Sequence, residues 1–68
     1  MKYVVVYERT GTGWSAYVPD LPGSVSAGKT REETERLMKE AISFHLDSMR
    51  EDNEPIPEPT TWAATVEV

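Results

Sequence analysis

Thr30 is followed three residues later by Glu33, with Glu32 and Glu35 beside it, and then by a stretch whose apolar residues recur at helical spacing. The threonine hydroxyl can accept an orphan N–H of the first turn, the glutamate can reach back to the cap, and the acidic side chains suit the positive end of the helix dipole. A helix from about Arg31 to Arg50 is predicted, the sharpest local signal in the chain. Its apolar stripe reads Leu37, Met38, Ala41, Ile42, His45 and Met49, so one face packs inward. Phe44 and Leu46 lie off the centre of that stripe and are candidates for an interface.

What the helix packs against must come mostly from the residues before it. Lys2 to Glu8 is a β-favouring run of Tyr and Val, and Trp14 to Val18 is a second, alternating run. Between them Arg9-Thr10-Gly11-Thr12-Gly13 has the glycines of a short hairpin connection. The segment Val18 to Gly23, VPDLPG, ends the second strand, because Pro19 has no N–H for a ladder; Pro22-Gly23 suits the centre of a type II turn. Ser24 to Ala27 reads as a short third strand ended by Gly28. After the helix, Pro55, Pro57 and Pro59 impose a stiff, extended connector, and Thr61 to Val68 alternates Trp62, Ala64, Val66 and Val68 against Thr61, Ala63, Thr65 and Glu67, the pattern of a final strand.

The element order is therefore β-β-β-α-β, an α+β class chain forming one domain over residues 1–68. Three antiparallel strands are expected, with the fourth returning parallel to the first through a right-handed crossover. A single helix covers one face of such a sheet. The other face, bearing Tyr17, Ala63 and Thr65, is left for solvent or a partner.

At 68 residues the core is small, and with no cysteine neither a disulfide nor a thiolate zinc site can reinforce it. Association is the remaining route, so a homodimer or higher oligomer is expected. The N-terminal residues lack the basic and apolar regions of a signal peptide, and no segment approaches the roughly 20 apolar residues of a membrane span, which predicts a cytoplasmic protein without membrane contact. Twelve acidic against seven basic residues give a net charge of -5. That charge repels phosphate backbones, disfavours direct nucleic-acid binding and favours a basic partner.

No residue pattern announces catalysis. His45 is the only histidine and falls on the buried stripe, where packing is its expected role. Glu8, Asp20, Glu40 and Asp47 could form a carboxylate cluster only if they converged from rigid strands, whereas the first strand is Tyr and Val through its middle. Gly11-Thr-Gly13 lies between two strands and does not open a helix, so it is a hairpin and not a phosphate cradle. Trp14 and Trp62 could stack nucleobases, but that mode also needs a positive groove. The chain is expected to be no enzyme, with no catalytic residue, cofactor or metal.

The VPDLPG strand end, Gly28 and Thr30 before an acidic helix start, and Glu40-Ala41-Ile42, in that order and spacing, resemble the HicB-like antitoxin family over nearly the whole chain. The resemblance implies a partly degenerate RNase H-like fold without that fold's acidic active site. It also implies a partner: a small, basic, RNA-cleaving toxin, HicA, which family members typically mask. Fuller members often carry a C-terminal helix-turn-helix or ribbon-helix-helix module that binds the operator, and no such module is expected within these residues.

The leading expectation is an antitoxin-like binding protein that neutralises a HicA-type ribonuclease. The alternative is a solitary homo-oligomeric domain of the same fold that binds another protein or a small ligand. Charge and the resemblance together nominate Asp20, Glu32, Glu33 and Glu35 as partner-binding residues, with Phe44 as the apolar candidate.

Overall fold

The computed structural model describes all 68 residues. Strands β1 (Val6–Arg9), β2 (Trp14–Tyr17) and β3 (Val25–Gly28) form an antiparallel sheet in that spatial order, and α1 (Arg31–Glu51) packs on one face, against β3 and β2. The register sets Tyr7 opposite Ala16 and Ala16 opposite Ser26; in the next row, Val6, Tyr17 and Val25 lie side by side. Side chains alternate between faces of a strand, so the first row faces the helix and the second faces away.

The core follows that alternation. Ala16, Val18, Leu21 and Met38 are buried, and Tyr3, Val5, Tyr7, Ala41, Ile42 and Leu46 pack around them. Leu46 thus belongs to the core, whereas Phe44, two residues earlier on the helix, is 78% exposed.

Local signals account for the connections. Thr10 N–H donates to the Gly13 carbonyl at 2.8 Å, and the Thr10 hydroxyl accepts the Gly13 N–H at 3.0 Å, closing the hairpin. Gly13 lies so close to the Gly28 carbonyl of β3 that a Cβ there would collide with backbone. Gly23 has φ +95, and Ser24 N–H donates to the Leu21 carbonyl at 3.0 Å, giving the type II turn around Pro22 and Gly23. Thr30 caps α1 by accepting the Glu33 N–H at 3.0 Å. At the other end Asn53, with φ 56, donates to Arg50, while Glu54 donates to Met49, a Schellman closure with Asn in the glycine position.

Two expectations about strands are corrected. β1 begins at Val6 and not at Lys2, because its partner gives out: beyond Tyr17, the next residue whose N–H would face β1 is Pro19, which has none. Val5 and Val4 therefore have no ladder to join, although Val5 still packs on the core. The second correction concerns Thr61–Val68, which forms no strand and does not lie parallel to β1. Its alternation is compatible with a strand, but a strand exists only when its N–H and C=O groups meet an edge. Here the chain is held at Thr60 and Thr61 by Asp20 of the β2–β3 loop, and beyond Thr61 it pairs with no strand.

Candidate interaction surfaces

The nominated acidic residues divide between the two ends of the helix. Ser24 touches His45, Ser26 donates to the Thr34 carbonyl at 3.0 Å, and Gly28 lies against Glu33 and Thr34, so β3 runs alongside α1 in the opposite sense. Glu32, Glu33 and Glu35 consequently sit beside the end of β3, whereas Asp20 lies in the loop before β3, at the far end of the domain. The two groups are separated by about thirteen helical residues, roughly 20 Å, so they stand at opposite ends of any patch that takes in both.

At the helix start, charges are paired along the surface. Arg31 lies 3.6 Å from Glu32 and 3.4 Å from Glu35, and Glu35 also meets Lys39 at 3.6 Å. Exposed pairs of this kind contribute at most about 1 kcal/mol each, so their main effect is on the local field. Glu35 also bears on Tyr7: burial first, and then the glutamate charge, raise the phenol above its ordinary value, with Arg31 partly offsetting them.

Asp20 has a different environment. Its Oδ2 accepts the backbone N–H groups of Thr60 and Thr61 at 3.1 and 3.0 Å, and its Oδ1 accepts their hydroxyls at 3.1 and 2.9 Å. These bonds favour the ionised carboxylate, above all the one from the Thr61 N–H, and hold its pKa below the usual value. Asp20 is a clamp on the connector.

Phe44 stands on the solvent face of α1. One turn before it is Glu40, three residues on is Asp47 and seven on is Glu51, all exposed. Glu40 and Asp47 are tied to Arg36 at 3.9 Å and Arg50 at 3.1 Å. The result is an apolar knob within an acidic field. On the open sheet face, Tyr17 and Val25 are 43% and 63% exposed beside Val6, a second apolar strip.

The one contact with the look of chemistry is Ser24 Oγ to His45 Nδ1, 2.6 Å apart. Ser24 is 2% exposed, no cavity opens onto the pair, and the imidazole has no hydrogen-bonded carboxylate behind it. The bond satisfies a buried hydroxyl and ties α1 to the start of β3. Glu8, Asp20, Glu40 and Asp47 do not converge, and no three potential metal ligands lie together. Sequence reasoning missed both the Ser24–His45 bond and the Asp20 clamp; their partners lie 21 and about 40 residues apart, and no local pattern marks either.

The fold and its surfaces thus define a small α+β domain whose distinctive features are exposed apolar and acidic groups. The profile of the HicB_like antitoxin of bacterial toxin-antitoxin system matches residues 3–67. The chain belongs to the HicB-like antitoxin family. It is 38% identical over 61 residues to Antitoxin HicB 2 of Photorhabdus laumondii, covering 90% of this chain and 44% of that one. An uncharacterised 14.9 kDa protein from the rep-hol intergenic region of Haemophilus phage HP1 is 46% identical over 57 residues, covering 84% of this chain and 43% of that one. The chain therefore spans less than half the length of these two relatives. A UPF0150 protein of Thermoplasma acidophilum, 37% identical over 67 residues, is matched over 97% of both chains. Among solved structures, a chain of the HicA3 and HicB3 toxin-antitoxin complex superposes with a TM-score of 0.73 at 27% identity, covering 87% of this chain and 69% of that one. The α+β architecture of three antiparallel strands and one helix, and the toxin-antitoxin affiliation, stand on these likenesses.

Proposed function

We propose that this chain is a non-catalytic antitoxin module that neutralises a small, basic, HicA-type ribonuclease by covering its working surface. The observation that carries the proposal is Phe44, a large aromatic side chain 78% exposed amid Glu40, Asp47 and Glu51. Such a group serves as an anchor when it enters a partner pocket, and the surrounding carboxylates steer a cationic partner into place. Glu32, Glu33 and Glu35 extend the negative field along the same helix. The net charge of -5 supports a protein partner in preference to direct contact with nucleic acid. The proposal places the complex in the cytoplasm, where a ribonuclease toxin would meet its RNA.

The test is co-expression with a HicA-type toxin, ideally the product of an adjacent reading frame. Restored growth and co-purification support the role, and loss of both with Phe44→Ala in a folded protein identifies the anchor. A toxin that neither binds nor is silenced removes the proposal.

A second reading, a solitary homo-oligomeric domain that binds another protein or a small ligand, draws on the apolar strip of Val6, Tyr17 and Val25. Self-association is compatible with both readings.

A further inference from the structure

Every copy of this chain contains a strand-like segment without an edge and a sheet edge without a strand. From Trp62 to Val68 no backbone group has a hydrogen-bond partner within the chain. The side chains that alternate onto one side of this segment include Trp62, Val66 and Val68, respectively 85%, 83% and 118% exposed. A segment of this composition in water leaves apolar area and backbone groups that a sheet would use. The edge is β1, the outermost strand of the order β1-β2-β3, extended upstream by Tyr3, Val4 and Val5, which also lack ladder bonds.

The route of the connector separates the segment from its own edge. Tyr3 Oη donates to the Pro57 carbonyl at 2.6 Å, which places Pro57 just upstream of β1. Three residues later Thr60, and then Thr61, are bound by Asp20 in the β2–β3 loop. The chain has thus crossed the end of the sheet away from the β1 edge, through a stretch stiffened by Pro55, Pro57 and Pro59. To pair with its own β1 it would have to abandon the four Asp20 bonds and turn back.

We propose that Thr61–Val68 adds as the outer strand beside β1 of a second copy, reciprocally, giving a closed strand-exchanged dimer. Alternation then puts Trp62, Ala64, Val66 and Val68 on the face shared with Tyr3, Val5 and Tyr7, which pack at the rim of the core. Thr61, Ala63, Thr65 and Glu67 fall on the outer face. Exchange enlarges a core in which 6 of 68 residues are buried, a small count even for a chain of this size. A two-fold operator pairs each copy's segment with the other copy's β1 edge and closes the exchange at two copies.

The dimer is tested on the chain alone, so its outcome is separate from that of the toxin experiment. Light scattering of the intact chain gives twice the 7.7 kDa monomer mass, and shortening after Thr61 gives the monomer mass with helical circular dichroism retained. Thr65→Pro combined with Val66→Pro, which keeps the length and removes the N–H facing β1 in either register, weakens dimerisation at least about tenfold. The chain has no cysteine, so a tagged chain with Val4→Cys and an untagged chain with Val66→Cys can be joined by a short bismaleimide. The tagged–untagged product is expected. A monomeric intact chain at high micromolar concentration overturns the proposal. So does a protein with both Thr65→Pro and Val66→Pro that dimerises unchanged, or a chain bearing both cysteines that links only within itself.

Discussion

Asp20 Oδ2 accepts the backbone N–H of Thr61 at 3.0 Å while Oδ1 accepts its hydroxyl at 2.9 Å, so one loop carboxylate sets the point at which the chain leaves the domain. The bonds lower the pKa of Asp20, led by the Thr61 N–H. A depressed carboxylate contributes its stabilisation above its unfolded value and loses it as pH falls through the folded one. The protection of the Thr60 and Thr61 amides, relative to their intrinsic exchange rate at each pH, is therefore expected to fall when the pH drops below the ordinary aspartate range. Asp20→Asn should show the reduced protection already at neutral pH, with the protection of core amides unchanged. Unaltered protection at Thr61 in that variant counts against the clamp.

Met38 is 1% exposed at the centre of the core, and so few residues are fully buried that none can be spared. Met38→Ala is expected to cost about 2–5 kcal/mol, a large share of the 5–15 kcal/mol typical of a whole domain. Urea denaturation followed by circular dichroism measures it. A loss below about 1 kcal/mol means that the core closes over the gap.

Thr30→Ala removes the hydroxyl that accepts the Glu33 N–H, at an expected cost of about 1 kcal/mol, while Thr30→Ser is nearly silent. Gly13→Ala should cost about 1–3 kcal/mol, because the new methyl meets the Gly28 carbonyl and the β1–β2 turn must separate from β3. Thermal melts of the three variants rank the effects.

Phe44→Ala should change stability by less than about 0.5 kcal/mol, since the ring touches little of its own domain. Binding of the toxin should fall by 2 kcal/mol or more, about thirtyfold, if Phe44 is the anchor. Glu32→Lys with Glu35→Lys should instead slow association and reduce its salt dependence, with a smaller effect on dissociation. Surface plasmon resonance at two ionic strengths separates the cases.

What the sequence determined by itself was local. Thr30 and Glu33 placed the start of α1, Pro22-Gly23 its turn, and the Gly11–Gly13 stretch its hairpin, because each interaction closes within about four residues and its energy does not depend on the rest of the chain. The alternation of Ala16 and Val18 against Ser15 and Tyr17 carried a core face for the same reason of fixed period. The unbroken Tyr and Val run of Lys2 to Glu8 left its inward register, Tyr3, Val5 and Tyr7, to the tertiary structure. Tertiary structure decided the rest. β1 could not begin at Lys2 because Pro19 ends its partner, Leu46 entered the core while Phe44 stayed out, and Ser24 met His45 from 21 residues away. The segment Thr61–Val68 has strand periodicity in its residues, yet a strand is a property of two chain segments. Asp20, 41 residues before Thr61, fixes where this one points and which edge it can reach.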